Sequence, residues 1–252
     1  MHELRTIAEF YAGFGPLAQG VPRAFAVRDM RGFQNGVIAP VFVTGALTSR
    51  ALIRLAHWFD ERRDRARDSE PKAYIDLLRG RGALNQRVTE RVIEQHGWEQ
   101  TRRKNLLLWT REVRAPAARD FVTATAIYGD SARVNAAFWA SMVNFPALDP
   151  AFPQRFHRFL MERRRRVLVS AAWRGSEVVA GGLAVVARGK ALLLCGSVLP
   201  AARGHGLWHT LVAERQCASR VLGANTWLAA SSNSKICDKA ERIIPVMEYR
   251  AP

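Results

Sequence analysis

The stretch VLPAARGHGLWHTL, residues Val198–Leu211, constrains the fold more than any other part of this sequence. An apolar strand stops at Pro200, a turn with two glycines follows, and a helix begins directly after it. The first N–H groups of a helix have no partner within the helix, and the helix dipole is positive at that end. Glycines let the backbone of such a turn approach a phosphate closely. The stretch therefore predicts an anion site, with an ordinary strand-to-helix turn as the alternative.

The elements around this turn have a specific order. Hydrophobic periodicity predicts a strand, two helices and a three-strand meander before the turn, at residues 120–128, 131–145, 150–163, 165–175, 177–189 and 190–200. After the turn it predicts a helix, a strand, a short helix and a last strand, at residues 207–223, 225–232, 234–243 and 244–250. The earlier part of the chain gives a shorter series of strands and helices, with strands predicted at 23–29, 36–45, 72–78 and 104–113.

This order, with the Arg-Gly-His-Gly turn at its centre, resembles the GNAT acyltransferase superfamily. The family signature Q/R-x-x-G-x-G/A follows the fourth strand and binds the pyrophosphate of acyl-CoA; Arg203 and Gly206 match its first and fourth positions. The resemblance covers the chain from Asp120 to its end. It implies an α/β (α+β) fold, a mixed and mostly antiparallel sheet flanked by helices. It also implies a donor or phosphate site at Arg203, Gly204, His205, Gly206, Leu199 and Trp208.

The first half of the chain resembles a shortened copy of the same order. His96-Gly97-Trp98 stands where the family often has Gly-Phe, and the stretch Arg114–Ala118, RAPAA, is typical of a linker. We therefore expect two GNAT-like lobes. A degenerate N-terminal lobe would cover residues 1–114, and an acyltransferase domain would cover residues 115–252.

The sequence departs from the family pattern at three places. Trp208 stands at the sixth motif position, which is usually Gly or Ala. Its indole either crowds the pyrophosphate site or packs inward, as tryptophan usually does. The late Gly-Phe of the family is absent near Arg242 and Ile243, and Asp238 aligns with the tyrosine that often serves as general acid. These departures bear on the use of CoA more than on the fold.

By resemblance, the reaction is direct attack of an amine on an activated acyl carbon. A backbone N–H of the fourth strand, near Ser197, Val198 and Leu199, would polarise the acyl carbonyl. A base must also take the proton of the amine. The candidate catalytic residues are Asp238, His209, Asn233, Ser234 and Val198.

Each side-chain candidate also has a structural interpretation. Asp238 is equally typical of a solvated helix, His209 of a polar helix face, and Asn233 of a helix cap. His205 and His209 are four residues apart, which suits metal geometry, but the sequence offers no third ligand. We therefore expect no metal.

The charge of the chain points to polyanions. Lys and Arg total 38 and Asp and Glu total 22, so the net charge is +16. A surplus of this size creates a field that attracts nucleic acid. Two basic runs lack neutralising neighbours and are either ordinary solvated faces or RNA-binding residues. They are Arg163, Arg164, Arg165 and Arg166, and Arg102, Arg103 and Lys104.

Three functions fit these features. The charge and the departures favour an acyltransferase that moves an aminoacyl group from aminoacyl-tRNA to the amine of a small-molecule or peptide acceptor. The first alternative is an acetyl-CoA (acyl-CoA)-dependent N-acetyltransferase of a small amine, and the second is a non-catalytic RNA-binding protein on the same fold. The N-terminus has no signal-peptide pattern and the longest apolar runs are too short for a bilayer, so we expect a cytoplasmic protein. Three cysteines without a close pair argue against a disulfide framework.

Overall fold

The computed structural model describes residues 23–27, 30–34, 38–43, 53, 72–78, 91, 93–114, 120–142, 152–187, 189–231 and 240–250. Two compact units are distinguished, residues 1–105 with 244–252 and residues 106–243. The boundary predicted from the sequence lies at residue 114, and most of the predicted linker, residues 115–118, lies outside the described residues.

The strands are numbered along the chain. They are β1 (Arg23–Val27), β2 (Met30–Gln34), β3 (Ile38–Val43), β4 (Lys72–Leu78), β5 (Glu99–Trp109), β6 (Val122–Ile127), β7 (Val167–Arg174), β8 (Glu177–Ala187), β9 (Lys190–Val198), β10 (Thr226–Ser231) and β11 (Arg242–Arg250). Three helices have defined bounds, α1 (Ala132–Ser141), α2 (Phe152–Glu162) and α3 (Leu207–Val221).

In the first unit the strand order is β1-β2-β3-β4-β11. Strands β1, β2 and β3 pair antiparallel, β3 and β4 pair parallel, and β4 and β11 pair antiparallel. The strands predicted at β1, β3 and β4 are confirmed, and β2 was not predicted. A helix ends at Gly97, a residue type typical of helix C-termini: φ there is 76°, and the N–H of Trp98 donates to the carbonyl oxygen of Ile93 over 3.2 Å.

The second unit includes the end of β5 from Leu106 onward, and its strand order is β5-β10-β9-β8-β7-β6. Strands β6 to β9 pair antiparallel in sequence order, which confirms the predicted meander, and β9 pairs parallel with β10. Both units thus contain a mixed, mostly antiparallel sheet, and helices flank the sheet of the second unit. The predicted fold class is confirmed.

Two successive glycines of β8 let helices approach both faces of this sheet. A Cβ at Gly181 would collide with the side chain of Ser141 in α1. A Cβ at Gly182 would lie 2.6 Å from Nη1 of Arg215 in α3. Successive strand residues point to opposite faces, so α1 and α3 cover opposite faces. The core on the α3 side includes Leu193, Val212 and other apolar residues, namely Leu107, Trp109, Leu168 and Trp227.

Two predicted boundaries are wrong. Strand β5 begins at Glu99 rather than at Lys104, so the run Arg102–Lys104 lies inside a strand rather than beside one. Charged residues are depleted in strands, and pairing within a sheet overrides that preference. The short helix predicted up to Ile243 does not extend that far, because β11 begins at Arg242. No helix in the described part of the chain is long and apolar enough to cross a membrane.

Candidate functional site

The end of strand β9 leads into a tight 3-10 turn, Pro200–Ala202. Pro200 stands at the start of this turn, where its fixed φ and missing N–H are tolerated. The N–H of Leu199 donates to the carbonyl oxygen of Val179 over 2.8 Å. The sequence predicts that Leu199 contributes to donor binding. Its backbone N–H is instead engaged in a hydrogen bond to strand β8.

The turn Arg203–Gly206, called the glycine turn below, has the backbone that the sequence predicts for an anion site. Gly204 and Gly206 have φ of 86° and 74°, in the left-handed region that favours glycine. Gly206 is the N-cap of α3, and no side chain caps the helix there. A Cβ added at Gly204 would meet no atom within 4 Å, so the turn borders open space. The helix start is therefore open to an anion.

Two exposed arginines, Arg203 and Arg174, and the ring of His205 lie at this turn. The side chain of Arg203 folds back on β9, where its Nε donates to the carbonyl oxygen of Val198 over 3.2 Å. The ring of His205 lies edge-on to Phe121, with 5.6 Å between ring centroids. The guanidinium of Arg174 lies 4.8 Å from the centroid of the same Phe121 ring. The aromatic ring thus holds Arg174 and His205 together beside the turn.

Trp208 packs against the sheet. Its Nε1 would lie 3.1 Å from a Cβ at Gly196 of β9, and the side chain is half-buried against the core cluster. The ring of His209 meets the indole edge-on, with 5.2 Å between centroids. Of the two positions open to Trp208, the inward one is observed, and the indole lies over strand β9 rather than in the open space at Gly204.

Strand β9 leaves its parallel neighbour before it ends. The register between β9 and β10 runs from Lys190–Thr226 to Leu193–Ala229, while β9 continues to Val198. Within the described residues, β10 therefore does not pair with the second half of β9, residues 194–198, and this half leads directly to the glycine turn.

A bulge deforms β9 where it leaves β10. Gly181 pairs with Ser197 and Leu183 pairs with Leu194, so Cys195 and Gly196 together face the single residue Gly182. Cys195 has φ of 51°, the one non-glycine residue with positive φ in the described part of the chain. Such bulges redirect backbone groups, and strained residues of this kind concentrate at functional sites.

The side chain of Arg215 lies beneath this bulge. It is 1% exposed, and its Nε donates to the carbonyl oxygen of Leu211 over 2.9 Å. Its Nη1 donates to the carbonyl oxygens of Leu183 over 2.9 Å and Leu194 over 3.3 Å. Burial lowers the pKa of Arg215 to about 10, and the thiol of Cys195 and the carboxylate of Glu214 oppose that change. The guanidinium is therefore charged at neutral pH.

Arg215 is not among the site residues that the sequence predicts. The signal was its spacing: it lies four residues after Leu211 and eight after Leu207, both buried, and so on the inward stripe of α3. An arginine on that stripe indicates a buried charge. Burial also raises the pKa of the neighbouring Cys195 thiol to about 12, although Arg215 lowers it.

The structure brings part of the predicted site together. Val198, Arg203, Trp208 and His209 meet at the end of β9 and the start of α3, and His209 is half-buried there. The predicted catalytic residues Asn233, Ser234 and Asp238 lie outside the described residues.

The predicted RNA-binding runs are in two other places. Arg164, Arg165 and Arg166 are exposed in a 3-10 turn between α2 and β7, and Arg163 donates to the carboxylate of Glu162 over 3.0 Å. The backbone of Arg102–Lys104 belongs to β5. Within the described residues, no three His, Cys, Asp or Glu side chains cluster as a metal site would require.

A second titratable cluster lies at the opposite end of the sheet from the glycine turn. The hydroxyl of buried Tyr128 accepts from Nε1 of Trp139 over 2.9 Å and lies 2.7 Å from Nδ1 of His157. Burial raises the pKa of Tyr128, and the Trp139 hydrogen bond opposes this. The N–H of Tyr128 donates to the carbonyl oxygen of Val167 over 2.9 Å, so the cluster lies beside the start of β7.

No protein-family profile and no curated protein sequence matches this chain. Solved structures do match it. A GCN5-related N-acetyltransferase from Kribbella flavida superposes with a TM-score of 0.66 at 17% identity, over 98% of this chain and 95% of that one. The chain has the GNAT fold. A second GCN5-related N-acetyltransferase, from Sphaerobacter thermophilus, gives 0.63 at 17% identity over 88% and 76% of the two chains.

A third similar structure is a GCN5-related N-acetyltransferase-like protein from Streptococcus suis, with a TM-score of 0.53 at 12% identity over 99% of both chains. The likeness thus extends along nearly the whole chain, and at these identities it is a likeness of fold. β9 is the fourth strand of the antiparallel series β6–β9, and the glycine turn follows it. The resemblance inferred from the sequence is therefore confirmed at the level of fold.

Proposed function

We propose that this protein is an N-acyltransferase that takes an acyl group from an acyl-CoA thioester and transfers it to an amine. One observation carries the proposal. A strand that separates from its parallel neighbour after Leu193 runs directly into a turn with two left-handed glycines, Gly204 and Gly206. In this proposal the turn holds the phosphates, and a cleft along the half of β9 that β10 does not pair receives the acyl arm.

The position of Trp208 favours CoA over the aminoacyl-tRNA donor that the sequence favours. An indole in the turn would crowd a pyrophosphate, but this indole packs on Gly196 and the core. The space beside Gly204 is open, and Arg203 is exposed at the same place. These residues fit a doubly charged anion next to the start of α3.

In the proposed reaction the amine nitrogen attacks the acyl carbon. The C–N bond forms as the C–S bond breaks, and the proton lost by the amine passes through a base to the thiolate. The bulged backbone of β9 near Ser197 and Val198 polarises the acyl carbonyl, which develops negative charge in the transition state. Among the candidate bases predicted from the sequence, His209 is the one that the described residues include.

Calorimetric binding of acetyl-CoA tests this proposal. We expect the wild-type protein to bind acetyl-CoA and Arg203→Ala to weaken that binding about tenfold, since a charge-assisted phosphate contact is lost. Arg220→Ala is the matched control, because Arg220 is exposed at the other end of α3, where it pairs with Glu112 over 3.1 Å. A protein that binds no acetyl-CoA at physiological ionic strength would overturn the acyl-CoA donor.

The second candidate is transfer from aminoacyl-tRNA, and the net charge of +16 favours it. Arg164, Arg165 and Arg166 form an exposed cationic turn suited to phosphates. Reversing these three to Glu lowers the net charge by six, from +16 to +10. The matched control reverses three exposed arginines elsewhere, Arg111, Arg114 and Arg220.

If the tRNA donor is correct, we expect the Arg164–Arg166 variant alone to bind total tRNA more weakly and with a smaller salt dependence. Equal losses in both variants would indicate nonspecific attraction to a basic surface. Binding of tRNA without acetyl-CoA binding, and without discharge of an aminoacyl-tRNA, would instead support the non-catalytic RNA-binding alternative.

A further inference from the structure

Arg215 is a buried charge whose hydrogen bonds go to carbonyl oxygens. Its guanidinium bonds the carbonyls of Leu183 on β8 and Leu194 on β9, which form the last regular pair before the bulge. The neighbouring Glu214 faces β6, where the hydroxyls of Thr123 and Thr125 bond its carboxylate. The positive charge is thus applied to the backbone at the bulge.

The bulge is built around this guanidinium. A Cβ at Gly182 would lie 2.6 Å from Nη1, so a side chain there would displace the group. A Cβ at Gly196 would lie 3.9 Å from Nη2. The absence of a side chain at Gly182 therefore leaves room for the guanidinium of Arg215. The same guanidinium lies close to Gly196 in the bulge itself.

Burying an arginine in this space carries a large desolvation penalty. Well-packed apolar residues often replace buried charges with no loss of stability, or with a gain. The hydrogen bonds to Leu183 and Leu194 need a donor but not a charge, so they do not by themselves explain a cation beneath Cys195 and Gly196. A developing oxyanion on the other side of the same backbone gives a reason, because charge interactions are strong in a site of low dielectric constant.

We infer that Arg215 is a positioning residue for acyl transfer: it holds the β9 bulge in shape and adds positive potential where the acyl oxygen becomes negative. The inference rests on the proposed function, because it requires an acyl donor in the cleft along β9. Arg215 acts through the backbone of Cys195 and Gly196 and does not itself touch the reacting atoms. Its geometry assigns a role to a residue that lies outside the glycine turn.

Infrared spectroscopy of bound acetyl-CoA, labelled with 13C at the acetyl carbonyl, tests this role. Polarisation lowers the C=O stretching frequency, so we expect a lower frequency on the wild-type protein than in free acetyl-CoA. Arg215→Met should move the frequency most of the way back, and Arg215→Lys, which keeps the charge, should move it less. The preference for acetyl-CoA over CoA should fall about tenfold in Arg215→Met.

The matched control is Gln216→Met. Gln216 is equally buried on α3, but its Oε1 accepts from the N–H of Val113 over 2.7 Å, away from the bulge. This variant loses a buried hydrogen bond and should keep the wild-type frequency. A frequency shift that followed stability loss in both variants would reduce Arg215 to a structural residue.

The acyl-CoA donor and the role of Arg215 can be tested separately. If the wild-type protein binds no acetyl-CoA, the proposed donor is wrong and the role of Arg215 is wrong with it. If the wild-type protein polarises the carbonyl and Arg215→Met does so equally, only the role of Arg215 is overturned. Should Arg215→Met fail to fold, Gly182→Ala displaces the guanidinium while keeping its charge. An unchanged frequency in that variant would also overturn the inference.

Discussion

The indole of Trp208 lies against Gly196, with Nε1 3.1 Å from the place that a Cβ would occupy. This contact joins the first turn of α3 to the bulge of β9. It explains how a tryptophan follows the glycine turn so closely without filling it. The large ring packs against a residue that has no side chain, and it leaves the space beside Gly204 open.

Replacement of Trp208 tests this arrangement. We expect Trp208→Phe to lower the free energy of unfolding by about 2 kcal/mol, because part of a buried aromatic contact is lost. Affinity for acetyl-CoA should change by less than about twofold, since the ring does not lie in the turn. Denaturant titration and calorimetry measure the two quantities. A marked gain in affinity on replacement would mean that the indole obstructs the phosphate site.

Alanine at Gly204 should damage binding more than stability. The left-handed φ of 86° makes alanine unfavourable by about 1 kcal/mol, and the added Cβ would stand in the open space where a phosphate is proposed. Gly175→Ala is the control, because φ there is 58° and its Cβ would also meet nothing within 4 Å. Gly175 lies between β7 and β8, outside the glycine turn.

We expect both alanine variants to lose similar stability by thermal denaturation and only Gly204→Ala to lose acetyl-CoA affinity. Equal affinity in the two variants would remove the glycine turn from donor binding. The pair thus separates the backbone cost of a left-handed residue from a steric effect on the ligand.

The meander and the helix after it could be predicted from the sequence because their signals are local. Strands β7 and β8 are apolar runs closed by a glycine, β9 is an apolar run closed by Pro200, and α3 has a regular inward stripe from Leu207 to Ser219. The glycine turn between them is fixed by two adjacent chain features, a strand end and a helix start. These parts of the prediction needed no information from distant residues.

The bulge and its buried cation could not be predicted in this way. The bulge at Cys195 and Gly196 is a property of register between two strands, and no single strand encodes its register. Arg215 has a position on the inward stripe of α3, but its carbonyl partners come from β8 and β9. The start of β5 at charged Glu99 was missed for a related reason, since pairing outweighs propensity.

Tyr128 should matter to stability and not to donor binding. Its buried hydroxyl bonds both Trp139 and His157, so Tyr128→Phe leaves the Nε1–H of Trp139 without this acceptor. We expect a loss of about 1–3 kcal/mol in the free energy of unfolding by urea titration. Acetyl-CoA affinity should be unchanged, because the cluster lies at the other end of the sheet. A loss of affinity with normal stability would instead connect this cluster to the site.

The thiol of Cys195 should be inert at neutral pH. Burial raises its pKa to about 12, so the thiol stays protonated at pH 8, where an ordinary thiol is partly ionised. Because folding raises this pKa, the thiol contributes stability that is present below its ordinary pKa and is lost as the pH rises toward 12. We therefore expect the rate of Cys195 alkylation to rise only as the pH approaches 12.

Two double variants allow the alkylation of Cys195 and of Cys217 to be measured separately. Cys217→Ser with Cys237→Ser leaves only Cys195, and Cys195→Ser with Cys237→Ser leaves only Cys217, which is exposed. We expect iodoacetamide to label Cys217 rapidly at pH 8 and Cys195 slowly until the solution is strongly alkaline, as followed by mass spectrometry. Rapid labelling of Cys195 at pH 8 would show an accessible thiolate beside Arg215. The bulge would then hold a nucleophile, and direct attack of the amine on the donor would no longer be the simplest route.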